Sequence, residues 1–282
     1  MASLTDYSKV RVLNHTLRSE EVTPPAFWYA GLSVADPTGA GLFTGEISDA
    51  GTGYGRIALE NDPLSWTAPV DLGGKSAITN LVEVLWADPE ADWGVPGWWF
   101  LADAVTGGNM WIQGPIDGTL RPITAADDPV SFAPGAQAIN FGIHTSLYFE
   151  ALVLNWLFRG GTFTKFPNLY WGLFTDDPGR DNANMVAYEF NAAGYGRVAS
   201  AISDAAWNEP TPSGTDMLVT NAATLAFDEP EAGWGTYNFT AGYTEESAGE
   251  LIFHGPSFTP RTVNANDNPP LWLPGNLGWQ VG

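Results

Sequence analysis

Two segments of helical period stand out in a chain that otherwise breaks into short apolar runs. Tyr7, Val10, Leu13 and Leu17 recur at three- and four-residue spacing, as do Tyr148, Ala151, Leu154 and Phe158. That spacing lines apolar side chains along one face of a helix, and Thr5 and Ser146 stand just ahead as N-caps. Strand-like runs rich in aromatic and β-branched residues follow each segment. They lie around 27–34, 53–59, 79–87, 97–104, 109–116 and 130–143, and again around 168–175, 194–200, 219–227, 235–243, 250–256 and 271–281. Asp-Pro, Gly-Gly and Gly-Pro pairs punctuate them. Some six to eight strands in about 130 residues, after one short helix, predict an all-β fold. The expected architecture is two tandem jelly-roll-like antiparallel β-sandwiches, each with a short N-terminal helix.

The two series are one series repeated. Tyr29-Ala-Gly-Leu-Ser-Val-Ala-Asp-Pro37 returns as Tyr170-Trp-Gly-Leu-Phe-Thr-Asp-Asp-Pro178, an offset of 141 residues. Asn14, Arg18, Thr23 and Asn80 return as Asn155, Arg159, Thr164 and Asn221 at the same offset. So do Gly53-Tyr-Gly-Arg56 as Gly194-Tyr-Gly-Arg197, and Pro89-Glu-Ala-Asp-Trp-Gly94 as Pro230-Glu-Ala-Gly-Trp-Gly235. After one deletion, Asp127, Pro129, Pro134 and Gly135 match Asp267, Pro269, Pro274 and Gly275. One register held over more than a hundred residues means two copies of one domain, placed at 1–145 and 146–282. No Pro/Gly/Ser linker separates them, so the copies are expected to pack side by side.

Charge narrows the partners. The 282 residues hold 11 Lys+Arg against 32 Asp+Glu, a net of -21, shared between the copies as -11 and -10. Such a surface repels phosphates, which argues against direct nucleic-acid binding and against docking on anionic membrane. With 0 Cys, disulfides, thiolate metal sites and Cys nucleophiles are excluded. No apolar stretch is long enough to span a bilayer and no signal-peptide pattern opens the chain, so synthesis in the cytoplasm is expected.

Candidate chemistry is thin. Asp before Pro at positions 36, 88, 128 and 177 reads as turn initiation. Glu90 and Asp92 would make a glycosidase-type pair, but the second copy has Glu231 and Gly233 there. Asp176, Asp177 and Asp181 are the densest acidic group, without the spacing of a Ca²⁺ loop. His15, His144 and His254 show no zinc spacing. Gly-Tyr-Gly-Arg reads as a structural element, with Gly for close approach, Tyr for packing and Arg56 and Arg197 for ion pairs or carbonyls. No catalytic residue, cofactor or metal is expected. Trp98 and Trp99 project to opposite faces of one strand, which makes them the candidate interface residues. The tryptophans also raise a sugar-stacking platform as an alternative.

Taken together, Asp6-Tyr-Ser-Lys, Asn14-His, Thr23-Pro-Pro, Tyr29 to Pro37, Gly53-Tyr-Gly-Arg, Ala91-Asp-Trp-Gly94, Gly107-Gly-Asn109, Gly114-Pro and Phe132-Ala-Pro-Gly135 resemble a family of tailed-bacteriophage virion proteins, known as tail-fibre, decoration or structural proteins. The second copy, Tyr148 to Gly275, follows the same order. The resemblance implies a non-enzymatic virion protein. The expected role is a capsid cement or decoration protein on the outer coat, partnered by the major capsid protein and assembled as a homotrimer. The alternatives are a tail-fibre or baseplate component that partners tail proteins, or a carbohydrate-recognition module for host attachment.

Overall fold

The computed structural model describes residues 2–142 and 144–282, apart from the side chains at 258 and 259. The helical segments fold as predicted: α1 spans Asp6–Leu17 and α2 spans Leu147–Phe158. Thr5 and Ser146 cap them, each accepting the backbone N–H three residues on.

In the first half the main sheet runs, in spatial order, β1 (Ser3–Leu4), β8 (Met110–Pro115), β7 (Trp98–Ala102), β2 (Phe27–Ser33) and β3 (Ile57–Glu60). A smaller sheet orders β10 (Ala138–Phe141), β5 (Ser76–Thr79) and β4 (Val70–Asp71), and β6 (Val84–Leu85) pairs with β9 (Ser131–Phe132). The second half repeats this plan. Its main sheet orders β17 (Leu251–Val263), β16 (Gly235–Tyr243), β11 (Asn168–Phe174) and β12 (Val198–Ala201). Its smaller sheet orders β19 (Gly278–Val281), β14 (Asp216–Thr220) and β13 (Thr211–Ser213), and β15 (Leu225–Ala226) pairs with β18 (Leu271–Trp272). Thr145 bridges Phe253 where Leu4 of β1 pairs with Ile112, so even the edge contact recurs at the repeat offset.

Among the described residues the ladders between these strands are antiparallel and each lies within one half, with a single parallel bridge from Ala2 to Ile139. Each half is thus an antiparallel sandwich, and aromatic rings fill the space between its sheets. Trp279 of β19 stacks 5.3 Å from Trp171 of β11 and 5.1 Å from Phe253 of β17. Two details depart from the sequence expectation. The runs from 53 and 194 begin as loops, because Gly53 and Gly194 take positive φ and strand pairing starts only at Ile57 and Val198. A single helical turn, α3 (Met185–Tyr188), precedes β12.

The helices are not surface helices. On α1 the expected apolar face was Tyr7, Val10, Leu13 and Leu17, but Val12, His15 and Thr16 are buried as well, while Tyr7 and Val10 are only partly covered. On α2, Tyr148 is exposed and Phe149, Val153, Trp156 and Leu157 are buried. The cause is the other half. Helix α1 packs on its own β8 and on β14 of the second half, and α2 packs on its own β17 and on β5 of the first. One hydrophobic core runs through both halves.

The contact between halves is reciprocal. Arg18 donates to the carbonyl of Trp207, and Arg159, its counterpart, donates to the carbonyl of Trp66, the counterpart of Trp207. In the turn after each helix the N–H of Ser19 meets Asp204 and that of Gly160 meets Asn61. His15 and Trp156, which occupy the same repeat position, stack on each other at 4.5 Å. Reciprocity of this kind is the mark of an isologous, twofold-type contact.

His15 supplies a pH dependence. Its Nδ1 accepts the N–H of Val22, so its proton sits on Nε2, 3.1 Å from the carbonyl of Phe163. Burial holds the pKa of this imidazole below the ordinary histidine value, Lys165 adding to the effect while the Phe163 carbonyl and Glu21 oppose it. His254 is shifted the same way, first by burial, with Asp177 opposing. The unfolded chain therefore binds these protons more tightly than the folded one. The stabilisation is complete above the unfolded value of about 6.5 and is lost as pH falls through the lower folded values. Thermal midpoints should fall on acidification below about pH 6.5, and His15→Gln should flatten that fall without removing the share due to His254. An equal slope in wild type and variant would refute this.

Candidate functional site

The Gly-Tyr-Gly-Arg segments build the same clamp in both halves. A Cβ at Gly53 would stand 2.6 Å from the carbonyl oxygen of Asp88, and one at Gly194 would stand 2.7 Å from the nitrogen of Glu231, so glycine is needed for close approach as well as for φ. The Tyr54 hydroxyl accepts the N–H of Leu32 at 2.8 Å and Tyr195 accepts that of Leu173 at 3.0 Å, each reaching an interior strand of its main sheet, β2 or β11. Burial holds both phenols well above the ordinary tyrosine range.

The arginines complete it. Nε and Nη2 of Arg56 form a two-pronged pair with Glu46 at 2.7 and 2.8 Å, and Nη1 donates to the carbonyls of Ala104 and Gly107. Arg197 does the same with Glu189 at 2.6 and 2.7 Å and with the carbonyls of Glu245 and Ala248. The guanidinium carbons lie over rings, Arg56 at 4.3 Å from the Phe43 centroid and Arg197 at 3.6 Å from that of Tyr243. With carboxylate, carbonyls and ring all engaged, the arginines tie the loops after β7 and β16 to the sheet edge. The sequence reading of a structural ion pair is what the geometry shows. The acids themselves were invisible to it, because Glu46 and Glu189 stand two positions off the repeat register.

The other acidic candidates are spent on turns. Asp36 Oδ1 accepts from Thr38 and Asp177 Oδ1 from Gly179, as Asp before Pro predicts. Asp176 accepts from Asp177 and Asp181 from Ala183, while Asp177 also meets His254 Nδ1 at 2.8 Å. Among the described residues no group of three or more His, Asp or Glu side chains is disposed to hold a metal ion. Glu90 and Asp92 are both exposed. Of the two tryptophans singled out, Trp99 points into the core, 4% exposed, and Trp98 is half-buried at the start of β7.

A buried carboxylate escaped the sequence reading. Glu150 on α2 is fully buried, accepting from Ser76 N at 2.9 Å, Ser76 Oγ at 2.8 Å and Thr145 Oγ1 at 2.9 Å, and pairing with Arg180. Its Ser76 contacts cross from one half to the other. Gly142 makes room for it, since a Cβ there would fall 2.3 Å from Oε1. One apolar cavity of about 370 Å³ opens in the second half between the main and smaller sheets, lined by Thr240, Trp272 and Trp279 among others.

With two equivalent clamps and one strand order in each half, comparison with protein families gives a matching result. The family described as Podophage GP4 fiber I protein gp80 matches the chain twice, over residues 3–140 and 144–279. The chain belongs to this podophage fibre family. As a member it is a structural protein of the phage virion and associates there with other virion proteins, and the two successive matches show the internal duplication directly. No curated protein matches the chain. Within this family member no helix among the described residues is long and apolar enough to cross a membrane.

Proposed function

We propose that the chain is a non-enzymatic component of the podophage tail fibre, in which the two copies act as one rigid module. The observation that carries this is the double family match to a fibre protein on two halves that share a single core and exchange reciprocal contacts. A module of this build transmits load without hinging between its halves. The buried and ion-paired groups support the same reading, since Arg56, Arg197 and Glu150 are occupied in holding loops and helices. The fibre description favours a tail position over the capsid-cement position, and tail proteins over the major capsid protein as partners. Trp98, half-buried at the edge of its strand, is the proposed contact residue on this surface, and a homotrimer is the proposed assembly.

Separating heads from tails and quantifying the chain in each by mass spectrometry tests the assignment. A few copies per particle confined to the tail fraction are expected. Hundreds of copies on tailless heads would move the assignment to capsid decoration.

A further inference from the structure

The two helices carry opposite charges at one repeat position. Lys9 of α1 and Glu150 of α2 stand at the 141-residue offset, both are buried, and each reaches across the junction into the other half. Lys9 Nζ donates to the carbonyl of Thr215 at 2.5 Å, in the turn that leads into β14, and Asp6 of its own helix lies 3.8 Å away. Glu150 accepts from the N–H and the hydroxyl of Ser76, the first residue of β5. The receiving elements are repeat equivalents, since Ser76 pairs with Asp71 and Phe141 where Met217 pairs with Pro212 and Val281.

The receiving turns are inverted in charge as well. Lys75 precedes Ser76, and its counterpart ahead of Met217 is Asp216. At this contact the first half therefore offers two cations, Lys9 and Lys75, and the second half two anions, Glu150 and Asp216. Both turn residues are close enough to act on Lys9. Burial depresses its pKa, Asp6 and Asp216 oppose the effect, and Lys75 adds to it. The other ion pairs across the junction are equally one-sided. Arg18 pairs with Asp204 and Glu209, and Glu21 with Lys165. The first half has Pro63, Ala68 and Pro24 at the positions of those three second-half partners.

Two first halves set together through this face would bring Lys9 against Lys75 in place of Asp216, and would do so twice by the twofold relation. They would also leave Arg18 and Glu21 without ionic partners. Two second halves would bring Glu150 against Asp216 and would exchange the Ser76 hydroxyl for the side chain of Met217. Like charges enclosed in one contact reject a wrong partner more effectively than good packing attracts it. We propose that this sign inversion is a recognition code, by which the face of the first half bearing Lys9 and Lys75 accepts a second-copy domain and refuses another first copy. The junction is thus directional in chemistry although nearly twofold in shape. Where many chains assemble together, a half that opens rejoins an unlike half, which keeps chains closed on themselves in preference to cross-linking through like halves. This goes beyond the fibre reading and does not depend on it.

The first test is a cycle of variants in the full chain, read as thermal midpoints. Asp216→Lys places the first-copy residue opposite Lys9 and should lower the midpoint by about 5 °C, although position 216 is only half-buried. In the background of Lys9→Met, which keeps an apolar stem and removes the charge, the same change should lower it by less than half as much. Equal losses in the two backgrounds overturn the proposal. The second test reads selectivity. A chain with a protease site inserted ahead of His144 is cut after folding, unfolded in urea and refolded, and native mass spectrometry counts the pairs. Indiscriminate halves would give like and unlike pairs in equal numbers, whereas an excess of unlike pairs of about a hundredfold is expected. Lys9→Met combined with Lys75→Met should raise the pairs of first halves about tenfold. Like and unlike pairs near parity in the wild type, or no gain from the double substitution, overturn the proposal.

Discussion

Neither half should exist as a folded monomer. Residues 1–143 or 144–282 expressed alone are expected to aggregate or to self-associate, whereas the two fragments produced together should recover a cooperative thermal transition. The reason is where the core lies. Trp28 donates its indole N–H to the carbonyl of Leu157 and packs at a tilt 5.2 Å from Phe158, and Trp66 lies 5.2 Å from the same ring. Removing the second half strips these partners, exposes the far face of α1 and leaves the Trp28 N–H and Arg18 without their carbonyls. Each lost large side chain costs about 2–5 kcal/mol, and several go together, against a typical total of about 5–15 kcal/mol. Light scattering and circular dichroism decide it. A monomeric fragment with a sharp transition would show the shared core to be dispensable.

Glu150→Ala should be among the most damaging single substitutions outside the aromatic core. It deletes a carboxylate that four donors surround, leaving the Ser76 N–H without its acceptor inside the protein and Arg180 without its buried partner. Breaking a buried pair in this way costs about 3–5 kcal/mol, which lowers the thermal midpoint by about 10 °C. As the Ser76 contacts join α2 to β5 across the halves, the loss loosens their junction as well. Replacing exposed Glu90 or Asp92 should shift the midpoint by no more than about 0.5 kcal/mol equivalent, which serves as the control. A midpoint for Glu150→Ala within error of wild type would contradict this account.

Much of this was legible before any coordinates, and the reasons are local. A run such as 235–243 keeps its strand through alternation and β-branched residues, and it folds over those residues. The helix caps were readable because a hydroxyl before an apolar period has one common use. The repeat register was readable because glycines and Asp-Pro turns cannot drift. What could not be read depends on a neighbour distant in sequence. The apolar periodicity of α1 marks one face, but nothing in it says that β14 of the other half packs on this helix or that Trp156 and Phe163 cover His15. Glu46 and Glu189 sit two positions apart within connections of equal length, 34–56 and 175–197, so the repeat register points past them. Trp99 was read as a surface candidate because neighbours on a strand alternate, yet which of Trp98 and Trp99 faces inward depends on the partner sheet.

The exchange of Arg18 and Arg159 between the halves also bears on life outside the cell. Between two separate chains, a contact of this kind obeys mass action and comes apart when the particles scatter into open water. Joined in one polypeptide, each partner meets the other at a local concentration that dilution does not touch. A virion that waits singly for its host thus carries a junction whose integrity is independent of how many other virions are near.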